Sequence, residues 1–541
     1  VGEDVKITYP SVYLVGKLRK EMRDNFQKAM EGGYEQVDQI PPLQAELVDE
    51  ELVRRRYLHN YQFRDVRWKE LGPRWGPAFD LYCDLLNSEQ SGKLTDYLLG
   101  EYDLRRIHSS SNLFGFLKDV TGEVKKLGEL FDKDWKIWIN MENFGGYVWS
   151  GNLKIIEEEV RNWVTGDIEH KALCDGNLSE ECFLRDLGSG IKQFLSLGPS
   201  VGSANSNLMT VEEFAAKPEL YMVQGASMGK QVVPEVKLPS GKVVKAKKTK
   251  ASVFAMMTQK EVASLILKAP PKQSASVIQK RETGKVRGVV NSDNVSYLRM
   301  AYISEWLERA MSGHPNTMLY MRMRQSITYW ESVVEKAGRS RLFKVPLDQS
   351  KFDHQQTKRM LEVFFRVVRD YITLRCTRGK AKDQILYVLE LVRVALVEEV
   401  SMIKVAVDND IVYIQYEKGI LSGWRWTAFM DTIFNYGEFF VARKMSQELG
   451  IFVDVSSFNC QGDDDEWTTN SASACYAIPK CYEICNFDIN PKKFFVSNKR
   501  NEYLRLVAED GVLSGYLARV IISILWRNPV SQPEPKGELR L

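Results

Sequence analysis

Cysteine is scarce in this sequence: eight in 541 residues, at positions 83, 174, 182, 376, 460, 475, 481 and 485. That sparseness excludes a disulfide-stapled scaffold and suits a reducing compartment. No Cys-x-x-Cys pair occurs, and none of the five histidines lies near Cys475, Cys481 and Cys485, so this cluster reads as core-facing rather than zinc-binding. No run of about 18 or more apolar residues exists, so no membrane-spanning helix is expected. The first residues lack a basic-then-apolar leader pattern, and the chain opens on Val1 rather than Met, so processed or trimmed ends are expected. Excess charge is also missing. The net charge of +3 does not announce a nucleic-acid binder, and any basic surface must be local. No internal repeat is visible.

What is present is an ordinary globular composition, 44% hydrophobic and 27% charged, in a chain too long for one compact core. Two or more lobes are expected. Residues 1 to about 190 are rich in Trp, Tyr and mixed charge, with helical patches and no evident chemistry. Residues 187–207 (LGSGIKQFLSLGPSVGSANSN) are dense in Gly and Ser and read as loops. The run KLPSGKVVKAKKTK holds six lysines and no acid; it is either a solvated hairpin or a surface that touches phosphates.

Beyond residue 277 the pattern sharpens. SVIQKRETGKVRGVV reads as two strands joined at Glu282–Gly284, and RLFKVPLD as a buried strand. In HQQTKRMLEVFFRVVRDYITLR, Met360, Leu361, Phe364, Phe365, Val368 and Ile372 recur at helical spacing. MIKVAVDNDIVYIQYEKG is a hairpin turning at Asp408–Asp410. GWRWTAFMDTIFNYGEFFVARKMSQELG is a long helix stopped by Gly450. IFVDVSSFNC, QGDDDE and WTT read as strand, tight turn, strand.

The turn QGDDDE sets Asp463, Asp464 and Asp465 side by side. Adjacent carboxylates at a sheet edge repel unless cations neutralise them, although a lone Gly-Asp-Asp is more often a solvated turn. LDQSKFD places Asp348 at the end of a buried strand and Asp353 at the start of a helix, where either could also be a capping acid. If the two strands pair, Asp348, Asp463 and Asp464 converge. Three carboxylates with two Mg²⁺ ions about 3.5–4 Å apart make a two-metal phosphoryl-transfer site. Between these elements, Ser422 and Gly423 sit in a loop before the long helix. Thr427, Asp431 and Asn435 follow at i, i+4 and i+8 on one face; a ribose hydroxyl and Asp353 are suitable partners, and helix capping is the plainer alternative. Lys280, Arg281, Lys285 and Arg287 lie along the basic hairpin and could carry a triphosphate, or simply protect an edge strand. In INPKKFF, Lys492 or Lys493 is a candidate general acid or a plain surface lysine.

The order is basic hairpin, D-x-x-x-x-D, S-G-x-x-x-T helix, G-D-D, then lysine. Together these resemble the palm of viral RNA-dependent RNA polymerases over roughly residues 275–510. The wording DQSKFDH, SGWRWTA and QGDDDEW looks most like the polymerases of picobirnaviruses, double-stranded RNA viruses related to partitiviruses. The resemblance implies an α+β fold: a closed right hand of fingers, palm and thumb, with many helices and a ferredoxin-like antiparallel palm sheet. Residues 1–110 would bridge fingers and thumb, 111–295 form fingers with the basic hairpin, 296–510 the palm with a finger insertion near 376–418, and 511–541 a short thumb. It also implies roles. Asp348, Asp463 and Asp464 hold Mg²⁺, with Mn²⁺ able to take its place. Asp353, Ser422, Gly423, Thr427 and Asn435 sense the ribose; Lys280, Arg281, Lys285 and Arg287 hold the triphosphate. Lys493 protonates pyrophosphate, and Arg505, in the EYLRLV turn, meets primer phosphates. Expected partners are single- and double-stranded RNA, NTPs and capsid protein, for a monomeric enzyme without a membrane, in the virion interior or host cytoplasm.

Two departures stand out. Asp431 replaces the Asn that such polymerases often set against the second acid, so Asp353 and Asp431 share a proton, or Asn435 takes over, or Asp353 turns elsewhere. Only about thirty residues follow the grip motif, so either the C-terminus is trimmed or the N-terminal region helps enclose the channel. The rival readings are a reverse transcriptase, which Gln461-Gly462 argues against, and a non-catalytic RNA-packaging or capsid protein whose acids are solvated turns.

Overall fold

The computed structural model describes residues 11–34, 38–39, 68–146, 148–149, 153–223, 235–237, 243–245, 249–283, 286–407, 410–490 and 494–525. Helices and short strands alternate throughout, an α+β organisation. The chain divides into two compact units. One gathers residues 1–152, 279–287 and 514–541; the other gathers 153–278 and 288–513.

The first unit is helical, with helices Ser11–Met30, Gly72–Leu85, Ser110–Phe131 and Ala518–Leu525. Its core is aromatic. Trp68 stacks on Phe79 at 4.5 Å, Phe79 meets Phe144 edge-on at 5.0 Å, and the buried Tyr82 hydroxyl donates to Ile137 O at 2.7 Å. Such rings bury large apolar areas while their polar tips find partners.

The second unit carries the motif-bearing segments except the basic tip 279–287 between β1 and β2, which falls in the first. Its elements, in chain order, are α1 (Glu180–Ser196), β1 (Ser274–Arg281), β2 (Val286–Ser292), α2 (Met323–Ala337), β3 (Phe343–Asp348), α3 (Phe352–Gln355), α4 (Lys358–Arg375), β4 (Met402–Val407), β5 (Asp410–Gln415), α5 (Thr427–Glu448), β6 (Val455–Gln461), β7 (Asp464–Thr469), α6 (Ala474–Ile484), β8 (Arg500–Tyr503) and β9 (Leu506–Glu509). One sheet has the order β5-β4-β1-β2. A second, β6-β7-β3, is antiparallel throughout and has three strands. Helices α5 and α6 pack on it. The expected strand at 341–348 is present, and β3 is buried from Lys344 to Asp348. Helix α4 starts where Thr357 accepts from Met360 N–H, and it buries the apolar stripe anticipated from spacing. Each such Leu or Phe contributes about 1.5–3 kcal/mol on burial. Helix α5 ends before Gly450, whose φ of +74° lets the chain leave the helix.

The Gly/Ser-dense stretch 187–207 departs from the expected loops. Its first half lies in α1, capped by the Ser179 hydroxyl with Glu180 and Glu181 in the first turn. The glycines serve packing. A Cβ on Gly190 would lie 2.9 Å from Gly437 Cα, so α1 and α5 cross at a point where neither helix carries a side chain. Local propensity argues against helix, but close helix contact overrides it. The loop Gly198–Ser200 is structural: Ser200 N–H donates to Ala310 O at 3.1 Å and its hydroxyl to Ser312 O at 2.6 Å. The segments Glu235–Lys237 and Val243–Lys245 pair as an antiparallel hairpin in the lysine-rich run.

Cysteines do not form a scaffold, but one cross-link joins Cys174 to Cys182, with Cα atoms 6.1 Å apart. Cys475, Cys481 and Cys485 are buried. Among the described residues no helix is long and apolar enough to cross a membrane.

Candidate active site

The site grows from the pairing of β3 and β7. Asp464 lies opposite Asp348, and the register runs on through Leu347 opposite Asp465 to Phe343 opposite Thr469. Strand geometry then separates the three adjacent aspartates. Asp463 sits exposed in the turn beside Gly462, whose φ is +62°. Asp464 is half-buried beside Asp348. Asp465 points to the opposite face and is 3% exposed, because side chains alternate along a strand. Burial, then the charges of Asp464 and Asp348, hold the Asp465 carboxyl well above the usual range, so it favours the neutral form.

Asp348 is fixed from a segment far along the chain. Asn490 Nδ2 donates to Asp348 Oδ2 at 3.1 Å, and Asn490 N–H donates to Asp348 O at 2.8 Å. The second acid, Asp353, lies in α3 rather than capping a long helix; the cap of α4 is Thr357. The backbone around Asp353 is clamped: its carbonyl accepts from Ile420 N–H at 2.9 Å and from Trp163 Nε1 at 3.2 Å, and Trp163 stacks on His354.

Asp431 on α5 hydrogen-bonds with Asp353. Burial first, then the charges of Asp353 and Asp463 and that hydrogen bond, push its carboxyl well above the ordinary carboxylate range. Two facing carboxylates hold together only by sharing a proton or a cation. The Oδ1 atom of Asp431 is buried and has no hydrogen-bond partner. Among the described residues no three His, Cys, Asp or Glu side chains form a ready-made metal cage. The donor type still suits a hard divalent cation: carboxylate oxygens only, on two facing strands and the adjoining turn.

A match to the family model described as "Viral RNA-directed RNA-polymerase" spans residues 158–525, more than half of the sequence. The chain belongs to the viral RNA-directed RNA polymerases. That family carries a general requirement for a divalent metal ion. One relative, a probable RNA-directed RNA polymerase of Giardia lamblia virus (isolate Wang), is 24% identical over 475 residues, which is 84% of this chain and 23% of that protein. This polymerase chain thus spans about a quarter of that relative's length. A solved structure, the insertion-loop deletion mutant of the RNA-dependent RNA polymerase of a human picobirnavirus, aligns over 93% of this chain and 88% of its own, at 15% identity and a TM-score of 0.46.

Other expected site residues of the polymerase are placed differently. Asn435 is fully buried; its Nδ2 donates to Gly462 O at 3.0 Å, gripping the acidic turn, while its Oδ1 has no hydrogen-bond partner. Thr427 donates to Leu421 O and Trp424 O at 2.8 and 3.0 Å, tying its own loop. Ser422 accepts from Val290 N–H at 3.2 Å, and Gly423 N–H donates to Val290 O at 2.9 Å. A Cβ on Gly423 would stand 2.3 Å from Val290 O, so only glycine lets this loop dock on β2. Arg505 is exposed at the tip of the β8–β9 hairpin, where Leu504 and Arg505 have φ of +49° and +67°. Lys280 and Arg287 are exposed and belong to the other unit, and Lys280 pairs with Glu282. Lys285, Lys492 and Lys493 lie outside the described residues, as does the side chain of Arg281.

Three contributors escaped the sequence reading: Asn490, Thr432 and Glu466. Thr432 Oγ1 accepts from Gly462 N–H at 2.9 Å, so Thr432 and Asn435, one turn apart on α5, hold both polar atoms of a single residue in the turn. The buried Glu466 on β7 accepts from Tyr329 (2.9 Å), Asn459 (3.0 Å) and Asn501 (3.0 Å), joining α2, β6 and β8 to the acid-bearing strand. The i, i+3 spacing of Thr432 and Asn435 was a usable signal. Nothing local marks Asn490 as a partner of Asp348.

Proposed function

We propose that the protein is an RNA-dependent RNA polymerase that replicates and transcribes the genome of a double-stranded RNA virus. The observation that carries the reading is Asp348 opposite Asp464 with Asp463 in the adjoining turn, in a chain of this family. The picobirnavirus-like wording around these acids supports the virus class. Substrates are an RNA template and NTPs, and a capsid protein is the expected companion. The division into fingers, palm and thumb, closed around the site, is part of the same proposal.

In this reading Asp348, Asp463 and Asp464 hold Mg²⁺. Bound there, the ion lowers the proton affinity of a 3′-hydroxyl and neutralises the charge of the departing pyrophosphate. The residues of the chain supply placement. Asn490 orients Asp348, while Thr432 and Asn435 hold the turn that bears Asp463. The pair Asp353–Asp431 is the candidate reader of the ribose hydroxyl, since Thr427 Oγ1 and Asn435 Nδ2 are already committed within the fold. Lys280, Arg281, Lys285 and Arg287 are the proposed triphosphate grip, Lys493 the proton donor to pyrophosphate, and Arg505 a contact to primer phosphates.

The test is incorporation of labelled nucleotides on an RNA template with Mg²⁺. Ribonucleotide incorporation that disappears in Asp348→Ala and Asp463→Ala, with RNA binding kept, supports the polymerase. Incorporation of deoxyribonucleotides instead points to a reverse transcriptase. An Asp463→Ala protein unchanged in every activity points to a packaging or capsid role.

A further inference from the structure

Helix α5 carries a third polar residue one turn beyond Asn435. Glu438 is 1% exposed. One carboxyl oxygen contacts Gln349 Nε2 at 2.7 Å, and the other contacts Gln356 Nε2 at 3.0 Å. Gln349 directly follows Asp348. Gln356 directly follows α3, which contains Asp353. Gln349 lies just inside the D-x-x-x-x-D segment, after its first acid, and Gln356 lies three residues beyond its second. Thr432, Asn435 and Glu438, spaced by three, therefore form one row along α5. The first two hold the Gly462 turn, and the third holds the residue next to Asp348 and the residue just past α3.

We propose that Glu438 is a positioning residue of the polymerase site, its single carboxyl group joining Gln349 to Gln356 and so setting where Asp348 and Asp353 stand relative to the acidic turn. The inference rests on the polymerase reading for its kinetic consequence, but not for its structural one. A buried carboxyl with two amide partners and, among the described residues, no salt bridge keeps its proton. Burial pushes Glu438 up to about 8, and the hydrogen bonds from Gln349 and Gln356 only partly offset this. The titratable groups that feel its charge are Asp431 on its own helix and Tyr482 and Cys485 at α6. None of these is cationic at neutral pH, so none stabilises a Glu438 carboxylate. Gln349 Oε1 and Gln356 Oε1 are both buried without a partner. Turning one amide over would let the neutral carboxyl donate its proton to a glutamine carbonyl, an orientation that heavy-atom positions do not distinguish. A neutral acid in this place is mimicked by glutamine and not by alanine.

The experiment compares the full chain with Glu438→Gln and Glu438→Ala by two readouts. The first is hydrogen–deuterium exchange over residues 347–357. Glu438→Ala is expected to speed exchange there at least fivefold, while Glu438→Gln leaves it within twofold of the parent. Unchanged exchange in Glu438→Ala overturns the proposal, as does equal acceleration in both variants. This readout stands even if the parent incorporates no nucleotide, a result that would sink the polymerase reading alone. The second is the pH profile of nucleotide incorporation. The parent kcat is expected to fall above about pH 8 as Glu438 ionises, with KM for NTP steady, and Glu438→Gln removes that limb. A limb that persists unchanged in Glu438→Gln overturns the neutral-acid assignment.

Discussion

Asp464 stands directly across the β3–β7 ladder from Asp348, with Asp463 one residue earlier in the turn. Residues more than a hundred positions apart thus place like charges on facing strands. This arrangement costs stability unless cations or protons intervene. Removing one charge therefore separates activity from folding. Asp348→Asn should lower nucleotide incorporation by more than about a hundredfold, since metal-held charge is worth several kcal/mol at about 1.4 kcal/mol per tenfold. Its Tm should equal or exceed the parent's. A fall in Tm that tracks the loss would show that the acid is structural.

The grip on Gly462 makes a narrower forecast. Thr432→Val keeps the shape of the side chain but removes the acceptor of Gly462 N–H. Asn435→Ala removes the donor to Gly462 O. Each lost hydrogen bond to a part-buried backbone group is worth about 1–1.5 kcal/mol. Each variant should lower kcat about tenfold, with template affinity unchanged. The double variant should lose less than the product of the two, because both bonds act on one residue. Titration of RNA binding beside single-turnover rates checks this.

Gly190 tests the close crossing of α1 and α5. Alanine is the better helix former by about 1 kcal/mol. Its Cβ would nevertheless meet Gly437 Cα and Phe440 Cβ, both at 2.9 Å. Overpacking of this kind costs about 1–3 kcal/mol, so Gly190→Ala should lower the urea midpoint despite its helix propensity. Gly202→Ala, in the short helix Val201–Ser206 with open space around it, should not.

His314 gives a pH dependence away from the acids. It is fully buried, stacks on Phe194 at 4.0 Å, and its Nε2 lies 3.0 Å from Phe194 O while Nδ1 accepts from Asn316 N–H at 3.1 Å. Those partners fix the neutral ring with its proton on Nε2. Burial lowers its pKa from 6.5 to about 4. The unfolded chain then binds this proton first, so the contribution is present above pH 6.5 and is lost as pH falls towards 4. The loss is on the order of 2–3 kcal/mol. Chemical unfolding between pH 7.5 and 4.5 should show a flatter slope for His314→Leu than for the parent, although that variant starts less stable.

The strands and helices beyond residue 277 were readable because their signals are local. A short buried-strand run marks β3, a helical stripe marks α4, and a glycine in the left-handed region ends α5. The helix across 187–196 was not readable, since its glycines pay off only where α1 touches α5. The same holds for Asn435. Its spacing places it on the right face of the helix, but which atom it meets depends on a turn 27 residues later.

By itself, then, the sequence determined which chemistry was available: acids at Asp348, Asp353, Asp463 and Asp464 on elements whose type follows from patterning and turn residues. Only the tertiary structure decided their partners. Strand register put Asp464 across from Asp348, and helix packing gave Gly462 to Thr432 and Asn435, Asp353 to Asp431, and Gln349 with Gln356 to Glu438. The physical reason is that secondary structure answers to neighbours a few residues away, whereas hydrogen bonds and charge pairs answer to distance in space, which chain order does not encode.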